Sequence, residues 1–229
     1  MGLEVERIRA LTFDCYGTLV DWDKGIRAAL KEVKGLQSFD VERLLREREQ
    51  AERELLAGPY RIYSGMLGDS LRIAAAAQGR TLHYGEILAF VNTMSRWPPF
   101  PDSGKVLRRL AVQYTLGILS NVETKVLSLS IKQIGAPFVA QITAEDIHSY
   151  KPAPKHWEEG LKRLHLPREN VLHVASSLYH DIRPAHALGF ATVWINRRNE
   201  PVPEDIEPDA VFPDLGGLMQ ALLGPAAAT

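Results

Sequence analysis

Cys15 is the only cysteine in this chain of 229 residues, which excludes an intrachain disulfide framework and a cysteine-rich zinc site. No apolar run approaches the ~20 residues that a membrane-spanning helix needs. Charge of neither sign is in excess. A formal net charge of -1 leaves no basic footprint for nucleic acid and no polybasic patch for a membrane surface. The opening MGLEVERIRA carries acids where a secretory leader has a basic and then an apolar stretch. Position 6, after Met1-Gly2, is glutamate rather than the Ser or Thr of a myristoylation signal. A cytoplasmic location is therefore the expectation. Internal repeats and low-complexity tracts are also missing.

What is present is ordinary for a globular protein, with 45% hydrophobic and 24% charged residues. The length suffices for one large domain, or for a core with a smaller insertion. The organising stretch is LTFDCYGTLVDW, Leu11 to Trp22. It reads as the end of a buried strand, from Ile8 to Phe13, that delivers Asp14 into a tight turn at Gly17-Thr18. Open α/β sheets present reactive groups in this way at their carboxyl edge. Cys15 beside it reads as a small buried thiol.

Further short apolar runs follow at residues 114–119, 138–143, 170–175 and 191–195, with a last one at 210–212. Helical patterns separate them at 106–112, 124–134, 156–164 and 182–188, and a final helix is predicted at 215–223. This alternation argues for βαβ units and a mostly parallel sheet. The tail GPAAAT reads as frayed. Between about Trp22 and Pro99 the rhythm breaks, and only helices are predicted. One spans 41–56, with Asp40 as N-cap. A second spans 67–78 and stops at Gly79. A third spans 86–96, and the run Trp97-Pro98-Pro99-Phe100-Pro101 then ends all helix.

Polar residues cluster just after each core strand. They are Asp14, Tyr16 and Thr18 after the first, Ser120 and Asn121 after the second, and Lys151 in the loop after the third. Ser176, Ser177 and Asp181 follow the fourth. Each has a plainer reading when taken alone. Ser120-Asn121 and Asp181 serve as helix caps, Lys151 as a surface lysine and Thr18 as turn chemistry. Four polar groups at four successive strand ends are decisive only together, because such ends converge on one crevice.

These residues resemble the haloacid dehalogenase superfamily of hydrolases. DCYGTL is similar to its first motif, with Asp14 as nucleophile, and ILSN to the second, ending at Ser120-Asn121. YKP is similar to the third, with Lys151, and ASSLYHD to the fourth, with Asp181. The resemblance implies an α/β fold: a Rossmann-like parallel sheet core with helices on both faces and an inserted α-helical cap. The core comprises residues 1–20 and 99–229, and the cap residues 21–98. Magnesium-dependent phosphatases of the superfamily carry acids where this chain has Tyr16 and Ser176. A phenol with an ordinary pKa of about 10 is a poor proton donor to a leaving alkoxide. A hard divalent cation also favours more carboxylate than this site offers.

The sequence therefore resembles the L-2-haloacid dehalogenase branch, which also has tyrosine at the Tyr16 position. That branch implies attack of Asp14 on C2 of a short 2-haloacid, loss of halide, and hydrolysis of the aspartyl ester by water near Asp181. By the same resemblance Lys151 holds Asp14 ionised, and Thr18, Ser176 and Ser177 orient the charged groups. Ser120 binds the substrate carboxylate. Arg46 attracts the halide, although a merely solvated Arg46 remains open. Leu178, Trp157 and His180 stand where the branch has Asn, Tyr and Trp, at positions that shape the substrate and halide site. His180 offers a different base or donor, or else is a structural histidine. The implied cofactor is none, with magnesium only in the phosphatase alternative. A non-catalytic binding protein on the same fold is the third reading. The implied partner is a small-molecule substrate, and a homodimer through the cap is expected. Segments near 18–24 and 97–102 are expected to hinge.

Overall fold

A computed structural model describes residues 3–224. The residues expected to form the frayed tail lie, from 225 on, outside the described residues, as do Met1 and Gly2. Among the described residues six strands form one parallel sheet in the order β3-β2-β1-β4-β5-β6. They are β1 Ala10–Phe13, β2 Thr115–Ser120, β3 Ala140–Thr143, β4 Val171–Ala175, β5 Ala191–Ile195 and β6 Ala210–Phe212. β1 lies at the centre, with Phe13 in register with Ile118 of β2 on one side and Val174 of β4 on the other. Both faces of the sheet are covered, which explains why its strands read as short continuous apolar runs rather than as an alternation.

Successive residues nevertheless separate between two faces. Leu11, Phe13, Leu116, Ile118, Leu172 and Val174 join the larger core, which also takes in Leu107, Leu127 and Leu218. These come from helices α5 Ser103–Leu110, α6 Thr124–Ile134 and α10 Leu215–Leu223. Ala10, Leu119 and Val171 join a second cluster with Trp157 and Leu164 of α8 Lys155–Leu164, and with Ala185 of α9 Arg183–Ala187. The short helix α7, Ala144–Ile147, follows β3 directly.

Residues 22–96 contribute no sheet strand. They form α1 Trp22–Glu32, α2 Val41–Leu56, α3 Tyr63–Ala77 and α4 Tyr84–Asn92, followed by a 3-10 turn at Thr93–Arg96. Asp21 caps α1 by accepting from Lys24 N at 3.0 Å, and Asp40 caps α2 by accepting from Arg43 N at 3.1 Å. α3 has no cap of its own. Its Ser64 N–H instead donates to Glu123 Oε1 at 2.9 Å, an acid at the start of α6. The chain leaves and re-enters the sheet region side by side. Asp21 N donates to Pro98 O at 2.8 Å and Phe100 N to Leu19 O at 2.9 Å. Helix α1 has no counterpart among the three helices predicted for this stretch. Helix α3 starts at Tyr63 rather than Leu67, and the stretch before α9 is a single π turn, Leu178–Ile182.

Candidate active site

Asp14 continues β1 past its last residue and stays 7% exposed at the carboxyl edge. The turn behind it closes with Gly17 N to Val20 O at 2.8 Å and Leu19 N to Cys15 O at 2.8 Å. Gly17 sits at φ +97, and a Cβ there would lie 2.9 Å from Ser176 Oγ, so only glycine fits. The amides of Cys15 and Tyr16 take no part in the turn's hydrogen bonds and remain available at the strand end. Cys15 itself is buried, and burial pushes its thiol well up, in keeping with an inert core residue.

Lys151 joins the neighbouring strand ends. Its ammonium donates to Asp14 Oδ1 at 2.8 Å, Asp181 Oδ1 at 2.6 Å and Leu119 O at 2.9 Å, which uses all three of its protons. The lysine is 1% exposed. Burial favours its neutral form, but the two carboxylates outweigh that and raise its pKa. Asn121 clamps the same lysine through the backbone. Its side chain accepts from Lys151 N at 2.8 Å and donates to Lys151 O at 3.1 Å. Thr18 donates to Asp14 Oδ2 at 2.9 Å and accepts from Ser176 N at 2.9 Å. Each oxygen of Asp14 is thus held by a different donor. Ser177 caps the π turn by accepting from His180 N at 3.0 Å.

One cation between two buried carboxylates cannot neutralise both. Burial raises Asp14 above its ordinary value, and the Asp181 charge adds to that against the pull of Lys151. Burial also opposes ionisation of Asp181, but Lys151 and His173 overcome it and hold the group down to about 2. His173 is fully buried on β4 and links Thr12 Oγ1 at 3.0 Å to Asp181 Oδ1 at 3.2 Å. Sequence reasoning missed this residue; a histidine in mid-strand among apolar neighbours was the available signal.

Above these groups lies a cavity of about 570 Å³. Its sheet-side lining includes Asp14, Tyr16, Ser120, Lys151, Leu178 and His180, and the helical segment adds Trp22, Arg48, Glu52, Tyr63 and Trp97. Ser120 Oγ is buried without a hydrogen-bond partner. The Tyr16 hydroxyl pairs with Ser130 Oγ at 2.8 Å, and burial pushes its pKa well up, so it serves as no acid here.

Two sequence expectations fail. Arg46 lies exposed on α2 and does not line the cavity. Two residues on, and so on the opposite side of the helix, Arg48 is 3% exposed and does line it. Arg48 pairs with Glu52 at 3.0 Å and lies 5.7 Å from the Trp22 ring centre. Nη1 is the atom of that ion pair, and Nε has no hydrogen-bond partner. Glu52 also accepts from the Tyr63 hydroxyl at 2.5 Å. Trp157 is the second correction. It packs in the smaller core cluster with Ala10, Leu119 and Val171, 1% exposed, with its ring 5.4 Å from that of His173, and it lies outside the cavity.

A family model for haloacid dehalogenase-like hydrolases matches residues 8–189. The chain belongs to this family. An (S)-2-haloacid dehalogenase of Pseudomonas putida is 29% identical over 96% of this chain and 98% of its own length. Haloacetate dehalogenase H-2 of Moraxella sp. (strain B) is 29% identical over 84% of this chain and 88% of its own. A crystal structure of an L-2-haloacid dehalogenase superposes with a TM-score of 0.84 at 28% identity, covering 94% of this chain and 98% of the other.

The donor set of this haloacid dehalogenase-like chain does not fit the divalent cation used by the family's phosphatases. The Lys151 ammonium already bonds Asp14 and Asp181, and Tyr16 and Ser176 stand where those enzymes have acids. Among the described residues no group of three or more His, Cys, Asp or Glu is placed to hold a metal.

Proposed function

We propose that the chain is a metal-independent (S)-2-haloacid dehalogenase that converts a short 2-haloacid to a 2-hydroxy acid. The observation that carries this reading is the Lys151 ammonium, buried between Asp14 and Asp181 at 2.8 and 2.6 Å. It supplies the positive charge that lets a carboxylate attack without a metal. A halide also leaves without needing a proton, which suits a site whose nearest phenol is held neutral.

Asp14 attacks C2 from the side opposite the halogen and forms an ester, and the halide departs with the electron pair of the broken bond. Lys151 and Thr18, steadied by Asn121 and Ser176, fix the attacking carboxylate. Ser120 Oγ and the Cys15 and Tyr16 amides are the neutral donors for the substrate carboxylate. Leu178 brings no polar group to the cavity, so attraction of the halide falls to Arg48 in place of Arg46. Residues 21–98 act as a cap over the core, hinged where the chain pairs with itself at Val20 and Pro99, and its opening admits substrate. Pairing of two chains through this cap and a cytoplasmic location belong to the same reading.

The test is halide release from L-2-chloropropionate or haloacetate with and without EDTA. Release that is indifferent to EDTA and lost in Asp14→Asn supports the proposal. Absence of release from every short 2-haloacid refutes it, and EDTA-sensitive hydrolysis of p-nitrophenyl phosphate would point to the phosphatase instead.

A further inference from the structure

Ester hydrolysis needs a base, and Asp181 is poorly suited to that role. Its Oδ1 already accepts from Lys151 and His173. Those partners hold its pKa, against the effect of burial, down to about 2. A base so far below the working pH takes a proton from water inefficiently. Esterification of Asp14 removes that residue's charge and leaves Asp181 as the only anion on the Lys151 ammonium. Asp181 is therefore a still weaker base in the second step than in the first.

His180 lies next to it and is arranged differently. Nδ1 is 3.1 Å from the Lys151 carbonyl oxygen. A carbonyl only accepts, so Nδ1 carries hydrogen, and in the neutral ring Nε2 carries the lone pair. Among the described residues Nε2 has no hydrogen-bond partner. The ring lines the same cavity as Asp14 and Asp181. Tyr179 packs edge-on against it at 4.8 Å, and the Ser177 cap holds its backbone. An imidazole tied to the protein through Nδ1, with Nε2 left over, is the geometry in which histidine acts as a general base. Across the cavity stands the half-buried Glu52 carboxylate.

Building on the dehalogenase reading, we propose that His180 is the general base of the second half-reaction. Nε2 removes a proton from water, and the water oxygen bonds to the Asp14 carbonyl carbon. Collapse of the adduct breaks the bond from that carbon to the oxygen on C2. The departing alkoxide takes the proton back from Nε2 and leaves as the 2-hydroxy acid. The remaining hydroxyl proton passes to solvent, and Asp14 is again a carboxylate holding one oxygen from water. Asp181 and Lys151 position the groups and carry no proton in this step.

The experiment mixes wild type and His180→Gln with excess L-2-chloropropionate and follows both chloride release and intact-protein mass. The variant should release one chloride per active site in a burst and then turn over about 100-fold or more slowly, with the ester mass accumulating on the Asp14 peptide. In His180→Ala, added imidazole should restore hydrolysis of the ester. Turnover of His180→Gln within about threefold of wild type without ester accumulation would overturn the role, since general bases contribute far more than that. Loss of the burst as well would also overturn it, by placing His180 in the first step. Wild type that releases no chloride from any short 2-haloacid would instead remove the dehalogenase reading on which this role rests.

Discussion

Replacing Lys151 with methionine keeps the stem and removes the charge that two buried carboxylates share. The ammonium makes three hydrogen bonds, at 2.8, 2.6 and 2.9 Å, with the lysine side chain 1% exposed, Asp14 10% and Asp181 1%. Removal of one partner from a buried ion pair costs about 3–5 kcal/mol, because the other charge is left without compensation. For a chain of this size each kcal/mol moves Tm by roughly 2–4 °C, so the expected fall is on the order of 6–20 °C at pH 7. The pH dependence separates this cause from a packing defect. Without the cation both carboxylates bind protons more tightly in the fold than in the unfolded chain. Their penalty is then present at neutral pH and relieved as pH falls through their raised values. The Tm deficit should therefore shrink from pH 7 to pH 5, and Asp14→Asn/Lys151→Met should melt above Lys151→Met. Thermal melts of the three proteins at both pH values provide the measurement. A Lys151→Met protein that melts within about 2 °C of wild type at pH 7, or a deficit that grows on acidification, would refute the charge argument.

Three further outcomes follow. Arg48→Ala should lower kcat/KM for 2-haloacids by at least about 10-fold, as expected for loss of a charged contact worth about 1.5–3 kcal/mol, whereas exposed Arg46→Ala should leave it unchanged; steady-state halide release measures both. Thr18→Ala strips Asp14 Oδ2 of its donor and Ser176 N of its acceptor, so its burst rate should fall by about 10-fold or more while Thr18→Ser retains most of it. Asp14 is the carboxylate that burial and the Asp181 charge raise. The burst rate, read by rapid quench, should therefore decline on acidification at a higher pH than the ~3.9 of a free aspartate.

The sheet and the floor of the site were legible because each rests on a local rule. A strand buried on both faces must be apolar along its length, and a parallel sheet must bring its carboxyl ends together. Reading those two facts off the chain placed Asp14, Thr18, Ser120, Lys151, Ser176 and Asp181 near one another. The helical segment was less legible. On α2 the buried positions are Leu44, Leu45, Arg48 and Ala51, so the stripe facing inward contains an arginine. A charge within an apolar stripe was the signal for a buried cation lining the cavity, and matching Arg46 by motif position passed over it. Trp157 failed for a related reason. It lies in the first turn of α8, whose inward side, with Gly160 and Leu164, packs on the sheet face that carries Ala10, Leu119 and Val171 rather than toward the cavity. Helix α1 carries a regular stripe at Ile26, Ala29 and Leu30, yet no helix is predicted from sequence before residue 41, and the expected hinge at 18–24 overlaps only the first turn of α1. His173 and Glu123 act through partners distant in sequence, which periodicity does not report.

The charges around the cavity explain how an anionic substrate has to be held. At the floor of the cavity Asp14 and Asp181 share Lys151, and Glu52 holds Arg48, three carboxylates against two cations that are already engaged; further along the lining Arg53, Arg197 and Arg198 stand among Asp21, Asp23, Glu49 and Glu200. A 2-haloacid adds a fourth carboxylate at this floor, where neither Lys151 nor Arg48 is an unengaged cation for it. Its carboxylate has to be met by neutral donors, and Ser120 Oγ is the buried hydroxyl left without a partner. Neutral donors gain strength only when water is excluded. In the proposed function, recognition therefore depends on closing the helical segment over the substrate, which also brings Arg48, whose Nε has no hydrogen-bond partner, against the leaving halide. The order of events follows from this balance. In that proposal closure precedes attack, and the departing halide is the anion to which Arg48 Nε is left to donate.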